Sequence, residues 1–129
     1  MNEPQWITKE EALAFHVMLL VRFGGIDGIR DEGLLESALS RPQQLFHYEK
    51  PTLFEMAASY AHGIVKNHPF LDGNKRSGFT VAGLFLEMNG YSLQAPETEA
   101  VIQTVALAAG DVSAAHYAQW LERHCQKMG

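Results

Sequence analysis

Apolar residues recur along this chain at the three- and four-residue steps of a helix. The two-residue alternation of a half-buried strand is not found. Leu13, Val17, Leu20 and Val21 form a first stripe. Thr8 and Glu11 before it have the spacing of a capping box, so a helix is predicted from residue 8 to about residue 23. Gly24-Gly25 ends it, and a glycine-rich loop reaches Arg30. Asp31 caps a second helix carrying Leu34, Leu35, Ala38 and Leu39, and Pro42 is expected to stop it. Gln43 to Pro51 has little helical periodicity and holds Phe46, His47 and Tyr48 in a row, which suggests a short strand or a flap.

Thr52 and Glu55 repeat the capping-box spacing. Phe54, Ala58, Ala61, Val65 and His68 then fall on one stripe, which would turn the His68 imidazole inward from the helix end. Pro69 breaks that helix. Phe79, Ala82, Gly83 and Leu86 mark the most apolar helix, from Ser77 to Met88, ended by Asn89-Gly90. An extended stretch from Tyr91 to Ala95 leads to a helix opened by Pro96 and closed by Gly110. Ser113 caps a last helix packed through Tyr117, Trp120 and Leu121. The fold class is all-α. It is a compact bundle of about six helices around the Ser77–Met88 helix, with the loop before that helix as the active site.

Composition narrows the classes. The chain has 129 residues, enough for one domain (1–129) with its own core. Hydrophobic residues make up 47%, as in a globular protein. A net charge of −5 argues against direct nucleic-acid binding through a general basic surface, and against docking on anionic lipid. No apolar run is long enough to span a membrane and the first residues lack signal-peptide character, so a cytoplasmic protein is expected. The single cysteine, Cys125, precludes an internal disulfide and has no catalytic partner in sight.

The densest chemistry lies in His68-Pro69-Phe70-Leu71-Asp72-Gly73-Asn74-Lys75-Arg76. A helix starting near Asn74 presents free N–H groups and a positive dipole end to the preceding loop. Gly73 allows close backbone approach, and Lys75 and Arg76 add formal positive charge, so residues 73–76 suit a nucleotide phosphate. Asp72 is the loop's one carboxylate and suits Mg²⁺, which takes its other ligands from water and substrate. His68 suits removal of a proton from an attacking hydroxyl. Taken singly, each residue is an ordinary turn, cap or solvated cation. Their concentration at the mouth of the most apolar helix favours phosphoryl or nucleotidyl transfer. Trp6, Tyr117 and Trp120 read as packing aromatics, and His16 and His62 as structural or solvated.

This nine-residue string resembles the core motif of the Fic/Doc superfamily, and more closely its death-on-curing branch than its adenylyl-transferring branch. Gly28 to Pro42 resembles the same branch. The resemblance implies that His68 is the base, Phe70 the loop's anchor in the core and Asp72 the Mg²⁺ ligand. Gly73 and Asn74 would form an anion hole, and Arg76 would hold a nucleotide phosphate. His47 and Tyr48 would fall in a flap that aligns a target segment. Adenylyl transferases of the family have glycine at the position of Lys75 and a second arginine at the position of Phe79. Those departures imply a kinase-like reaction in which Lys75 neutralises phosphate charge during catalysis. ATP would be the co-substrate, and the γ-phosphate would pass to a Ser or Thr of a translation elongation factor, stopping protein synthesis. An antitoxin supplied by another chain would restrain it, since no inhibitory Ser/Thr–Glu–Gly/Asn helix is present. Two alternatives stay open: protein adenylyl transfer, and a catalytically silent module that only binds an antitoxin.

Overall fold

The computed structural model describes residues 2–129. Six helices run in order as α1 (Lys9–Phe23), α2 (Glu32–Tyr48), α3 (Leu53–Asn67), α4 (Asn74–Met88), α5 (Glu97–Ala109) and α6 (Ala114–Arg123). Two short strands, β1 (Tyr91–Leu93) and β2 (Cys125–Lys127), complete the chain. Four helices start where a side chain takes up a free backbone N–H. Thr8, Asp31, Thr52 and Ser113 do this for α1, α2, α3 and α6, and Thr8 and Thr52 form complete capping boxes with Glu11 and Glu55.

The centre is a pair of helices. α3 packs on α2, α4, α5 and α6, while α4 packs on α1, α3, α5 and β1. Glycine lets these axes approach. A Cβ on Gly78 of α4 would stand 3.2 Å from the Ala61 carbonyl oxygen and 2.9 Å from Val65 Cγ1 of α3. Gly63 of α3 lies equally close to α2, where its Cβ would meet the Ala38 Cβ at 3.0 Å. Buried Tyr60, Phe85, Tyr117 and Trp120 fill the space around the pair. Their polar atoms are answered: Tyr60 Oη accepts from the Ile7 N–H, Tyr117 shares a bond with Thr104, and Trp120 Nε1 donates to Glu99. Burial pushes both tyrosine hydroxyls up to about 12.

Three local expectations are corrected. Pro42 does not stop α2, which continues to Tyr48. Leu35, Ala38, Leu39 and Pro42 are one buried stripe, and packing of the proline ring carries the helix past its missing N–H. On α1 the buried positions are Ala12 and His16, whereas Val21 is 84% exposed and Val17 is also exposed. The helix is turned by about one position from the predicted stripe, because it covers the bundle with a narrow edge. The third is β1, which pairs antiparallel with β2 in the register Tyr91↔Lys127 to Leu93↔Cys125. With only three residues, every one half-buried, β1 leaves no local alternation to read. No helix among the described residues is long and apolar enough to cross a membrane.

Candidate functional site

The loop between α3 and α4 is held from below, from the side and from within. From within, buried Asn74 folds its amide back on the chain: Oδ1 accepts from Phe70 N at 3.0 Å and Nδ2 donates to Phe70 O at 3.0 Å. Its side chain is therefore committed to loop shape, leaving only its backbone N–H for a ligand. Phe70 is buried in the core beneath. From below, the His16 ring lies flat on Phe70, with centroids 3.6 Å apart and planes 9° apart. His16 Nδ1 bonds Ser77 Oγ at 2.8 Å in the first turn of α4. The imidazole is only 3% exposed, and its Nε2 is buried without a partner. Burial lowers its proton affinity against the opposing pull of Asp27 and Asp72, so the neutral ring is favoured.

From the side comes the segment Gly24 to Asp31. The Leu71 N–H donates to Gly28 O, Ile29 bridges to Phe70, and the Arg30 and Asp31 N–H groups both donate to Pro69 O. Arg30 also sends Nε to His68 O and Nη2 to Asn67 O, each at 2.6 Å. A guanidinium thus closes the carbonyl end of α3, where a cation is favoured. Asp72 fastens the same segment, since Oδ2 accepts from Ile26 N at 3.2 Å and Oδ1 from Gly73 N at 2.8 Å.

His68 ends α3 in the left-handed conformation, at φ 50° and ψ 56°. It is the one non-glycine residue with positive φ among the described residues. Such backbone costs energy for a side-chain-bearing residue and is retained where surroundings enforce it. Here the enforcers are Pro69, which disfavours helical geometry before it, and Arg30 on the two last carbonyls. The consequence corrects the sequence reading. His68 leaves the α3 stripe at the helix end and its side chain is exposed, not turned into the bundle.

Gly73 begins α4, also left-handed at φ 78°, and provides no side-chain cap. The N–H groups of Asn74, Lys75 and Arg76 belong to the first helical turn, which has no intrahelical acceptor for them. Lys75 and Arg76 are both exposed. They line a cavity of about 350 Å³ with Phe23 of α1, Phe79 of α4 and Val101 of α5. The Arg76 guanidinium stands over the Phe23 ring, 4.3 Å from its centroid. His68 and Asp72 do not line this cavity. The motif therefore offers two faces, one with His68 and Asp72 and one with Lys75 and Arg76, joined at the helix start.

As a metal ligand Asp72 stands alone: no group of three or more His, Cys, Asp or Glu among the described residues could hold an ion. Each of its oxygens accepts one backbone bond and retains a lone pair. The set fits a largely hydrated Mg²⁺ completed by substrate phosphates, and does not fit an all-protein cage.

The assignment of His47 and Tyr48 to a flap over the site is corrected. Both sit exposed in the last turn of α2. Leu34, in the first turn of α2, accepts from Asn67 beside the loop. His47 lies thirteen residues further on, roughly 20 Å along the helix. Helical continuation through Pro42 carries the pair away from the loop. Gly24 to Asp31 lies against it instead. Three glycines in that short stretch were the available signal. His16 and Arg30 had none, because each acts through a partner distant in sequence.

A family model described as "Fic/DOC family" matches residues 6–86, which span α1 through the loop and most of α4. The chain belongs to the Fic/Doc family. A protein named "Protein kinase doc" from Escherichia phage P1 is 37% identical over 119 residues, covering 91% of this chain and 93% of that protein. "Toxin Doc" from Mycolicibacterium smegmatis is 39% identical over 77 residues, covering 58% of this chain and 59% of that one.

Proposed function

We propose that this Fic/Doc chain is the toxin of a toxin–antitoxin pair and that it phosphorylates a protein hydroxyl with ATP. The observation that carries this reading is the uncapped start of α4, flanked by Asp72, Lys75 and Arg76, with His68 held in a forced backbone conformation at the other end of the loop. In this reading the N–H groups of residues 74–76 and the two cations bind and neutralise the phosphate oxygens. His68 takes the proton from a Ser or Thr hydroxyl as its oxygen bonds to the γ-phosphorus, the bond to the β-phosphate oxygen breaks, and ADP leaves. When bound at Asp72, Mg²⁺ supplies further charge neutralisation to the phosphates. The names of the two relatives support the toxin and kinase parts of the reading.

A translation elongation factor is the proposed target, so that phosphorylation inhibits protein synthesis in the cytoplasm. Gly24 to Asp31, already aligned along residues 68–71, is the segment on which the target strand would lie. The proposed antitoxin docks on the exposed apolar residues Val17, Met18 and Val21 of α1 and Val101, Ile102 and Val105 of α5. These helices wall the Lys75–Arg76 cavity, so an acidic amphipathic segment there would cover both the apolar residues and the phosphate-binding cations.

The test is incubation with purified elongation factor and ATP labelled at either the γ- or the α-phosphorus, followed by intact-mass analysis. Label from the γ-position and a phosphate-sized mass gain are expected, both lost in His68→Ala. Label from the α-position with an AMP-sized gain would assign adenylyl transfer instead. Tight antitoxin binding without either label would assign a silent module.

A further inference from the structure

A second cavity, of about 360 Å³, opens between α2, α3 and α6. It shares no lining residue with the loop 68–76. Its floor is the close approach of Gly63 to Ala38, where small residues leave a hollow between the helices. Arg41 comes from α2, and His62 and Lys66 come from α3. His62 and Lys66 are four residues apart, so they share one face of the helix. Partial desolvation lowers the proton affinity of His62, although the residue reaches the surface, and the charges of Lys66 and Arg41 lower it further, so the three groups feel one another across the cavity.

One carboxylate stands among them, and it is engaged elsewhere in part. Glu55 is the one acidic residue in the lining, and its Oε1 accepts the Thr52 N–H at 2.8 Å in the cap of α3. Among the described residues, neither Arg41 nor His62 has a side-chain hydrogen bond or ion pair. Lys66 gives one bond, to Ala108 O at 3.1 Å, and an ammonium carries three donors. The hydroxyls of Ser37 and Ser59 also face this space. In a chain of net charge −5, a concave site where Arg41 and Lys66 outnumber the single carboxylate, Glu55, is locally positive, and an anion would relieve the repulsion between the cations.

We propose that this cavity is a second anion site, taking a phosphate-class oxyanion either free or as the phosphomonoester end of a small molecule. The arginine fork matches two oxygens of such a group. Lys66 supplies a point charge, and the serine hydroxyls supply neutral donors. The volume lies at the small end of the range of about 300–1,000 Å³ for small-molecule pockets, so a compact ligand fits and a polymer does not.

The test is a titration of the ¹⁵N-labelled full chain with inorganic phosphate, followed by NMR, against chloride at the same ionic strength. Saturable shifts of the Gly63 amide and the His62 ring are expected, with the His62 pKa rising as phosphate binds. Arg41→Gln should weaken this response roughly tenfold or more. It should leave any response of the Gly73 amide unchanged, and His62→Gln should give a smaller loss. Both side chains are exposed, so the variants keep the wild-type spectrum elsewhere. The proposal is overturned if Gly63 moves alike in phosphate and chloride, if Arg41→Gln leaves its curve unaltered, or if only residues 73–76 respond. Saturation at Gly63 with silence at Gly73 would uphold this site and count against the proposed phosphate role of the loop. A glycerol phosphate titration run in parallel separates an ester-binding site from one limited to the free ion.

Discussion

The starts of α3 and α4 differ in one respect that bears on what each is for. At α3, Thr52 accepts from Glu55 N at 3.1 Å and Glu55 returns the bond to Thr52 N at 2.8 Å. Two of the four free backbone donors are satisfied by the chain itself, and the Thr52 and Glu55 side chains cover that end. At α4 the cap is Gly73, which has no side chain to give. The two helices are equally long and pack on each other, so neither length nor packing accounts for the difference. One end is closed for folding. The other is kept open by a set of contacts that hold it without covering it: Asn74 on Phe70, His16 on Phe70 and Ser77, and Asp72 on Ile26 and Gly73.

The largest expected effect follows from removing chemistry from the open end. His68→Ala should lower phosphate transfer by roughly 10²- to 10⁴-fold, the usual range for a general base. Its urea midpoint should fall only slightly, because the side chain is exposed and both residues carry a Cβ in the same left-handed backbone, where histidine is modestly the better tolerated. A variant that loses activity and stability together would assign His68 to the fold instead.

Closing the open end comes next. Gly73→Ala places a Cβ at φ 78°, where it stands 3.4 Å from His16 Cε1. The left-handed backbone alone costs about 1–2 kcal/mol for alanine. The shifted N–H groups should reduce transfer by roughly 10- to 100-fold. Nucleotide binding followed by calorimetry should weaken in step. Unchanged affinity would separate the helix start from the phosphate.

The support beneath the loop is the third element. Ser77→Ala removes the acceptor or donor at 2.8 Å from His16 Nδ1, and His16→Phe keeps the stack while removing the ring nitrogens. Both should raise the KM for ATP more than they lower kcat, since the loop is loosened and the base is retained. The pH dependence has a definite sign. The folded state lowers the His16 proton affinity below its ordinary value, so the ring's contribution is present above about pH 6.5 and is lost as pH falls through the folded value. Unfolding curves should therefore show that His16→Phe loses less stability on acidification than the parent. An identical slope would mean that other groups govern acid sensitivity.

How legible each part was in the sequence depends on the range of the interaction. The closed helix ends were legible because a cap and its partner lie three residues apart, as at Thr8, Thr52 and Ser113. The motif was legible for the same reason, being nine consecutive residues. Pro42 misled because its local effect is to end a helix, while the burial that overrides it comes from α3. That one error moved His47 and Tyr48 to the wrong end of the molecule. Arg30 on the α3 carbonyls and His16 under Phe70 join residues thirty-seven to sixty-one positions apart, and no local pattern announces either.

The smallest effect is the control on the closed side. Thr52→Ala removes the side-chain cap of α3 and leaves the Glu55 N–H and the return bond without their geometry. A loss of about 1 kcal/mol in urea unfolding is expected, as for other threonine caps. Because α3 ends at His68, fraying at its first turn lies some fifteen residues, or roughly 20 Å, from the chemistry. Transfer per folded molecule should stay within about twofold of the parent, since exposed helix ends fray locally without opening the core. If Thr52→Ala instead lowered kcat as Gly73→Ala is expected to, the two helix starts would be coupled along α3. The division between an end closed for folding and an end held open for a ligand would then fail.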